Sequence, residues 1–511
     1  MWKNKLLKIS DHAGKAIGKV EKYCGDPART VTFFALVLTV FYTVQCSLFQ
    51  NILGLDVLET ITWGAQGAWG HAKHPPLSGW LGYGISYLGG HKDWIMYLAA
   101  HCCTALSVIY VYKCARIFMD KYESGTAALL LYFLFYYSPS ETKFCTYPLE
   151  MMLVPMSSFY FFRALQDNKW HNWLLLGLLA ALGILNKYSF GLVMTAWAVI
   201  FFRNKANLQL LKSAKPYLAA ALMIVLLLPH LRWLYENDFV CLTHVGNRLS
   251  DEYKWYTPLV TISTAAYPYG MMALVLLLTS ILNSRTLQRT TIKKAPAIDF
   301  LLIAALPAVT LIVLSFFGDI IQMWFCTMAA MAAAAITAFF PWKIDRRFFA
   351  GTVLLLTMYS ILMMLGTTLD VTLKSKPRVH SLPESYTFAA VEFYRKHDPT
   401  KPIPIVVGPR FEATVLENYL PHRPPACEID DPIFLKLYTQ KIRREGALLI
   451  GKPEKFEQFK KDMNIEQINF QKINFTYKSL WGKKRKRAYF LAYLPPVSSE
   501  AASVPSTVQG K

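Results

Sequence analysis

The sequence predicts an α-helical multi-pass membrane protein with a small α/β domain at its C-terminal end. Three observations lead there. Of 511 residues, 54% are apolar and only 17% are charged, against roughly 25% charged in ordinary soluble domains. Long apolar runs repeat from residue 31 to about residue 370, and beyond that point charge becomes dense. The composition excludes a disordered chain, a collagen-like chain and a small disulfide scaffold. The net charge of +21 would point to nucleic acid in a polar protein; in a chain this apolar it points to an anionic membrane or lipid substrate. Nine cysteines without a C-x-x-C pair read as small buried hydrophobes.

Residues 1–30 are polar and basic (Lys3, Lys5, Lys8, Lys15, Lys19, Lys22, Arg29) and lack the short apolar core of a secretory signal. Eleven apolar runs follow: Val31–Phe49, Trp94–Tyr112, Gly125–Tyr137, Leu149–Leu165, Trp173–Leu185, Phe190–Phe202, Tyr217–Leu234, Leu259–Leu282, Phe300–Phe317, Ile320–Phe340 and Phe348–Leu369. About 20 helical residues cross a hydrocarbon core of about 30 Å, so about eleven transmembrane helices are expected over 31–370. Three of the runs need flanking residues to reach that length. The even-numbered gaps hold the basic residues (Lys113/Arg116/Lys121, Arg163/Lys169, Arg203–Lys215, Arg285–Lys294, Lys343–Arg347). By the positive-inside rule the N-terminus is cytoplasmic and the odd gaps are outside, the first of them spanning 51–93. Eleven crossings put the C-terminal domain, 371–496, outside as well. Its short β-like runs Ile403–Val407, Ala447–Ile450 and Arg487–Leu494 alternate with amphipathic stretches such as Phe411–Tyr419. The tail 497–511 reads as disordered.

The first outer gap carries the candidate chemistry. Asp56 and Glu59 are three residues apart, on one helical face beside the membrane surface. Lys73 and His74 can face a phosphate, with Pro75-Pro76 fixing the chain direction after them. A carboxylate base, cations on a leaving phosphate and an aromatic wall that includes Trp63 are the parts a transferase with a lipid-phosphate donor needs. On pattern alone the two acids serve equally well to solvate an interfacial helix. Lys187, between two apolar runs, either meets donor phosphate or snorkels to the interface. His230 and Asp238 either line an outer cavity or anchor the interface beside Trp233 and Tyr235. Asp319, in an apolar turn, is a further cavity candidate. The run Lys483–Arg487 is either a solvated hairpin edge or a contact for anionic lipid or glycan.

Leu55-Asp56-x-x-Glu59-x-x-x-Trp63-Gly64 followed by Lys73-His74-Pro75-Pro76-Leu77-x-x-Trp80-Leu81 resembles the first outer loop of bacterial GT-C membrane glycosyltransferases. That group includes relatives of dolichyl-phosphate-mannose protein mannosyltransferases and the lipid A aminoarabinose transferase (glycosyltransferase family 39-like). The likeness continues through Gly177–Ser189, Leu228–Phe239 and, weakly, Gln322-Met323-Trp324. At 143–148 this chain has Cys145 and Tyr147 where relatives tend to carry Asn or Asp, with Glu150 close by. The resemblance implies a multi-pass GT-C-like protein of a bacterial cell (inner) membrane, active in cell-envelope glycan or lipid modification. It implies a sugar donor on polyprenyl phosphate and a lipid, glycan or protein acceptor at the outer face, with inversion and no nucleic acid. Asp56 and Glu59 become the acid candidates, either of them the base, and Lys73, His74 and Lys187 the phosphate contacts. No cofactor is assigned. Two acids leave room for a divalent metal but are too few ligands to claim one. The competing class is a transporter or flippase for a lipid-linked or anionic solute, which would place its ions at the bilayer midplane within repeated halves.

Overall fold

A computed structural model describes residues 2–139, 143–250, 254–284, 287–318 and 320–496. Asp319 and the tail 497–511, both singled out from the sequence, lie outside the described residues. The chain forms two compact units: Met1–Ser47, Lys73–Ser78 and Trp94–Thr368 in one, and Leu48–Ala72, Gly79–Asp93 and Leu369–Lys511 in the other.

The first unit is helical, and the chain is an integral membrane protein. Among the described residues six helices are long and apolar enough to cross a bilayer: Pro27–Phe49, Asp93–Ala115, Lys215–Glu236, Thr257–Leu282, Lys294–Leu314 and Arg346–Leu373. All eleven apolar runs fall on helical segments, but not all of them form one long helix. Gly125–Tyr137 departs from the expectation. Its helix, Lys121–Leu130, stops at Leu130, and two 3-10 turns follow. Tyr132, Phe133, Leu134, Tyr136 and Tyr137 pack into the core instead of continuing the helix, while Phe135 between them is exposed. The backbone groups freed there find partners inside the protein, the Phe135 amide donating to the Tyr267 hydroxyl at 2.9 Å. Irregular backbone at membrane depth is tolerated only when buried and satisfied in this way. Ile320–Phe340 departs likewise, with a 3-10 turn at Gln322–Phe325 and a ten-residue helix, Ala329–Ala338. That helix is only about 15 Å long. Its buried alanines admit neighbouring helices to close range instead.

The basic gaps are stitched to one another. The Arg346 guanidinium donates to the carbonyls of Glu21 and Lys22 at the end of the helix Trp2–Glu21, at 2.8 and 3.0 Å. Lys121 reaches the Gly25 carbonyl at 3.2 Å. Lys293 pairs with Glu123, Arg203 with Asp299, and Lys215 donates to the Asn168 carbonyl at 2.6 Å. Each bond joins segments that the sequence assigned to the same side, so these gaps share one end of the bundle. Odd gaps are tied together in turn, Asn186 donating to the Thr146 carbonyl at 2.8 Å.

In the second unit five strands form one sheet in the order β2-β1-β3-β5-β4: β1 Val406–Gly408, β2 Ala426–Glu428, β3 Ala447–Ile450, β4 Gln471–Tyr477 and β5 Arg485–Leu494. β1 runs parallel to β2 and β3, and β5 is antiparallel to both β3 and β4. Ile405, Val407, Cys427, Leu449 and Ala492 are buried against Phe434, Phe456 and Phe459 from the covering helices. β2 and β4 were not anticipated. β2 is three residues long after Pro424-Pro425, and β4 is an edge strand with mostly exposed positions, so neither presents an apolar run. The outer gap 51–93, read from the sequence as part of the membrane bundle, groups mostly with this unit. Its helix Leu55–Ala65 packs on the helix Arg410–Tyr419.

Candidate functional site

Gly54 opens the helix Leu55–Ala65 in an extended conformation without a side-chain cap, so first-turn amides and the helix dipole favour an anion there. Asp56 supplies it and is exposed. Glu59, one turn on, is buried at 5% exposure, and its Oε1 lies 3.5 Å from Arg410 Nη1. The two acids thus share a helix but not an environment. One is open to an incoming group; the other is held in an ion pair.

The same helix has a second tie. The Thr62 hydroxyl donates to Glu417, and the Asn418 amide lies 3.4 Å from that hydroxyl. Burial pushes the Glu417 carboxyl up to about 7, opposed by the Thr62 bond and the charge of Arg423. Tyr419 completes the clamp, accepting from the Leu53 amide at 2.9 Å and donating to Asp93 at 2.7 Å. Trp63, expected to wall a substrate cavity, is a core residue instead. It is 3% exposed, stacked on His71 at 5.3 Å and packed with the apolar cluster of the small unit. Its size and lack of charge make it worth more there than at a wet surface.

Lys73 and His74 are half-buried in an irregular turn, and the buried Pro75-Pro76 leads from them into the helix Leu77–Leu88. Lys187 neither snorkels nor stands alone. Its ammonium lies 3.4 Å from Glu150, 4.6 Å from the centre of the Tyr147 ring and 5.7 Å from that of Trp324. Ser189 donates to the other Glu150 oxygen at 2.7 Å. A buried cation in a membrane bundle is stable only with such partners. Tyr188, between Lys187 and Ser189, bonds His230 at 2.8 Å, and His230 is stacked on Trp233 and 1% exposed. Lys187 and His230 therefore belong to one cluster. Asp238 does not join it; it is exposed just beyond the helix end, with φ +53°.

Arg410, Glu417, Tyr188 and the Glu150 pairing with Lys187 are not marked by any pattern in the sequence. Arg410 follows Gly408-Pro409 and opens an amphipathic stretch, an ordinary helix start that carries no sign of a partner 351 positions away (410 less 59). Among the described residues no three His, Cys, Asp or Glu side chains gather as a metal site.

Residues 73–233 match the family model for dolichyl-phosphate-mannose-protein mannosyltransferases. The match begins at Lys73 and takes in the Asn186–Ser189 turn and His230, but not Asp56 or Glu59. Superposition on the crystal structure of ArnT from Cupriavidus metallidurans, bound to undecaprenyl phosphate, covers 90% of this chain and 97% of that one, with a TM-score of 0.56 at 16% identity. The fold is of the GT-C type. The lipopolysaccharide core galacturonosyltransferases RgtA and RgtB of Rhizobium johnstonii are 23% and 25% identical over 215 and 218 residues. These alignments take in 41% of this chain and 43% and 44% of the relatives, so the chain spans less than half the length of the curated relatives it matches. The likeness to GT-C glycosyltransferases read from the first outer gap is borne out.

Proposed function

We propose that this protein is an integral-membrane glycosyltransferase that moves a sugar from a polyprenyl-phosphate donor to a lipid or glycan acceptor at the outer face of the membrane. The observation that carries the reading is the division of labour on the loop helix: Glu59 is occupied by Arg410, while Asp56 stays exposed on the first turn. Undecaprenyl phosphate in the ArnT structure and the lipopolysaccharide core named for RgtA and RgtB support a lipid-linked donor and an envelope glycan acceptor.

In this mechanism Asp56 accepts the proton of the acceptor hydroxyl as its oxygen attacks the anomeric carbon. The bond from that carbon to the donor phosphate breaks, and the electron pair leaves with the phosphate. Attack opposite the leaving group inverts the anomeric centre without a covalent intermediate. Base assistance of this kind contributes about 10²–10⁴ in rate. Lys73 and His74, which follow Asp56 in the same outer segment, stabilise the departing phosphate. Lys187 has its charge offset by Glu150 and holds the turn that carries Tyr188 in place rather than supplying a bare cation.

The test is purified protein in sealed liposomes, given labelled polyprenyl-phosphate sugars and an envelope lipid acceptor without any ion gradient. Labelled product that disappears in Asp56→Asn supports the reading. Movement of lipid or solute across the bilayer without transfer of label overturns it in favour of a carrier.

A further inference from the structure

The basic hairpin between β4 and β5 has no part in the transfer chemistry, yet its tip is bonded to the residues that follow Leu369. That span, Arg346–Leu373, contains 22 residues from Phe348 to Leu369 without a charge. They measure about 33 Å as a helix, which matches a hydrocarbon core of about 30 Å. Charge resumes at Asp370, which pairs with Lys374 and Lys376 at 2.6 Å each. The turn of helix after Leu369 therefore stands at the headgroup layer.

The hairpin tip is bonded to that turn. The Trp481 amide donates to the Thr372 carbonyl at 2.9 Å, and the Ser479 amide to the Ser375 hydroxyl at 3.1 Å. Ser375 donates to the Lys483 carbonyl at 2.8 Å. Gly482 sits so close that a Cβ would run into the Ser479 and Ser375 hydroxyls. Leu480 and Trp481 are nonetheless 63% and 64% exposed, and Lys478, Lys483, Lys484, Arg485 and Lys486 are exposed around them. No Asp or Glu occurs from Gln467 to Val497. The acids facing this segment from packed elements are already engaged, Glu412 by Arg487 at 3.1 Å and Asp370 by its two lysines.

We propose that this tip docks the small unit onto anionic phospholipid headgroups, with Leu480 and Trp481 inserted at the interface and the flanking lysines on lipid phosphate. A Trp beside an aliphatic residue suits the interfacial layer, where an apolar body and a polar N–H are both accommodated. Each basic residue near an anionic surface contributes roughly a fivefold gain in association. The proposal is independent of the transfer reaction and holds on either side of the membrane.

The experiment uses the full chain in nanodiscs and hydrogen exchange of the backbone amides at 478–484. Three conditions are compared: phosphatidylcholine alone, phosphatidylcholine with phosphatidylglycerol, and phosphatidylcholine with free inorganic phosphate. Exchange about tenfold slower with phosphatidylglycerol than in either other condition is expected, with the difference collapsing near 1 M salt, where the screening length falls to about 3 Å. The variant Lys483→Gln/Lys484→Gln/Lys486→Gln should lose the difference while melting like the parent. Equal exchange in all three conditions, or protection that survives both the substitutions and the salt, overturns the proposal. Protection that appears with inorganic phosphate alone also overturns it.

Discussion

Arg410 holds Glu59 at 3.5 Å across 351 positions of sequence, and the carboxylate it neutralises is almost wholly buried. The pair converts one of two apparent active-site acids into a fastener for the helix that carries the other. Its energetics are asymmetric. Arg410 is 41% exposed on its side chain, so water screens part of the attraction, but removing it takes an ionic partner from a buried carboxylate.

Arg410→Gln should therefore lower stability by about 1–2 kcal/mol. Glu59→Gln, which leaves the more exposed partner, should cost less. The double variant should recover part of the Arg410→Gln loss, read as the coupling in a thermal or denaturant double-mutant cycle. Strictly additive losses would show that the two groups do not interact.

Asp56→Asn should leave donor binding unchanged, lower melting only slightly through the lost first-turn charge, and reduce transfer by about 10²-fold or more, since proton removal operates in the transition state. Lys73→Ala and His74→Ala should instead raise the donor concentration required, because phosphate is charged before and after transfer. Transfer at the parent rate by Asp56→Asn would remove it from the mechanism.

Glu417 provides a pH signature in the small unit. Burial raises its folded-state value to about 7 from an ordinary 4.5. Between those two values the folded chain binds more protons than the unfolded one, so stability falls as pH rises through this window and levels off above it. Glu417→Gln should remove that slope and leave the small unit more stable than the parent above about pH 7. A pH–stability curve identical in variant and parent would assign the slope elsewhere.

Glu150→Gln leaves Lys187 buried without its countercharge and should cut the yield of folded protein sharply. Glu150→Gln/Lys187→Met should restore it, since a buried pair is less costly to replace than to break. Detergent-solubilised yield and melting of the three proteins decide the matter. If the single variant matches the parent, the pair is not what keeps Lys187 in the bundle.

Sidedness is open to a reporter test. The bonds among the basic gaps join Lys121 to Gly25, Lys293 to Glu123 and Arg346 to the end of the N-terminal helix. A fusion after Lys294 should report cytoplasm and one after Lys374 the opposite side. Two reporters on the same side would mean an even number of crossings between them.

The membrane class, the positions of the helical runs and the α/β character of the C-terminal segment were legible because each rests on local composition. Run length was less so. Apolar residues at Tyr132–Tyr137 and Ala329–Ala338 read as span material, but the first stretch is irregular, with its Phe135 amide bonded to Tyr267, and the second is a helix of only ten residues. In the site, residue types were legible and their employment was not. Asp56 and Glu59 are equivalent by pattern, and Trp63 is as apt for a sugar as for a core. What separates them is Arg410 and the small-unit core, contributed from the far end of the chain.

That long reach governs when the protein can mature. The loop helix made at residues 55–65 finds Arg410, Glu417 and Tyr419 only after some 350 further residues have been synthesised, when most of the spans have already left the ribosome. Synthesis at about 5–20 residues per second makes that interval tens of seconds. During it the exposed segment waits without its clamp, a natural client for chaperones on the side where it emerges. A truncated chain that loses residues 410–419 should lack the Arg410, Glu417 and Tyr419 contacts to residues 53–65. Residues 410–419 thus serve as the completion check on the helix at 55–65.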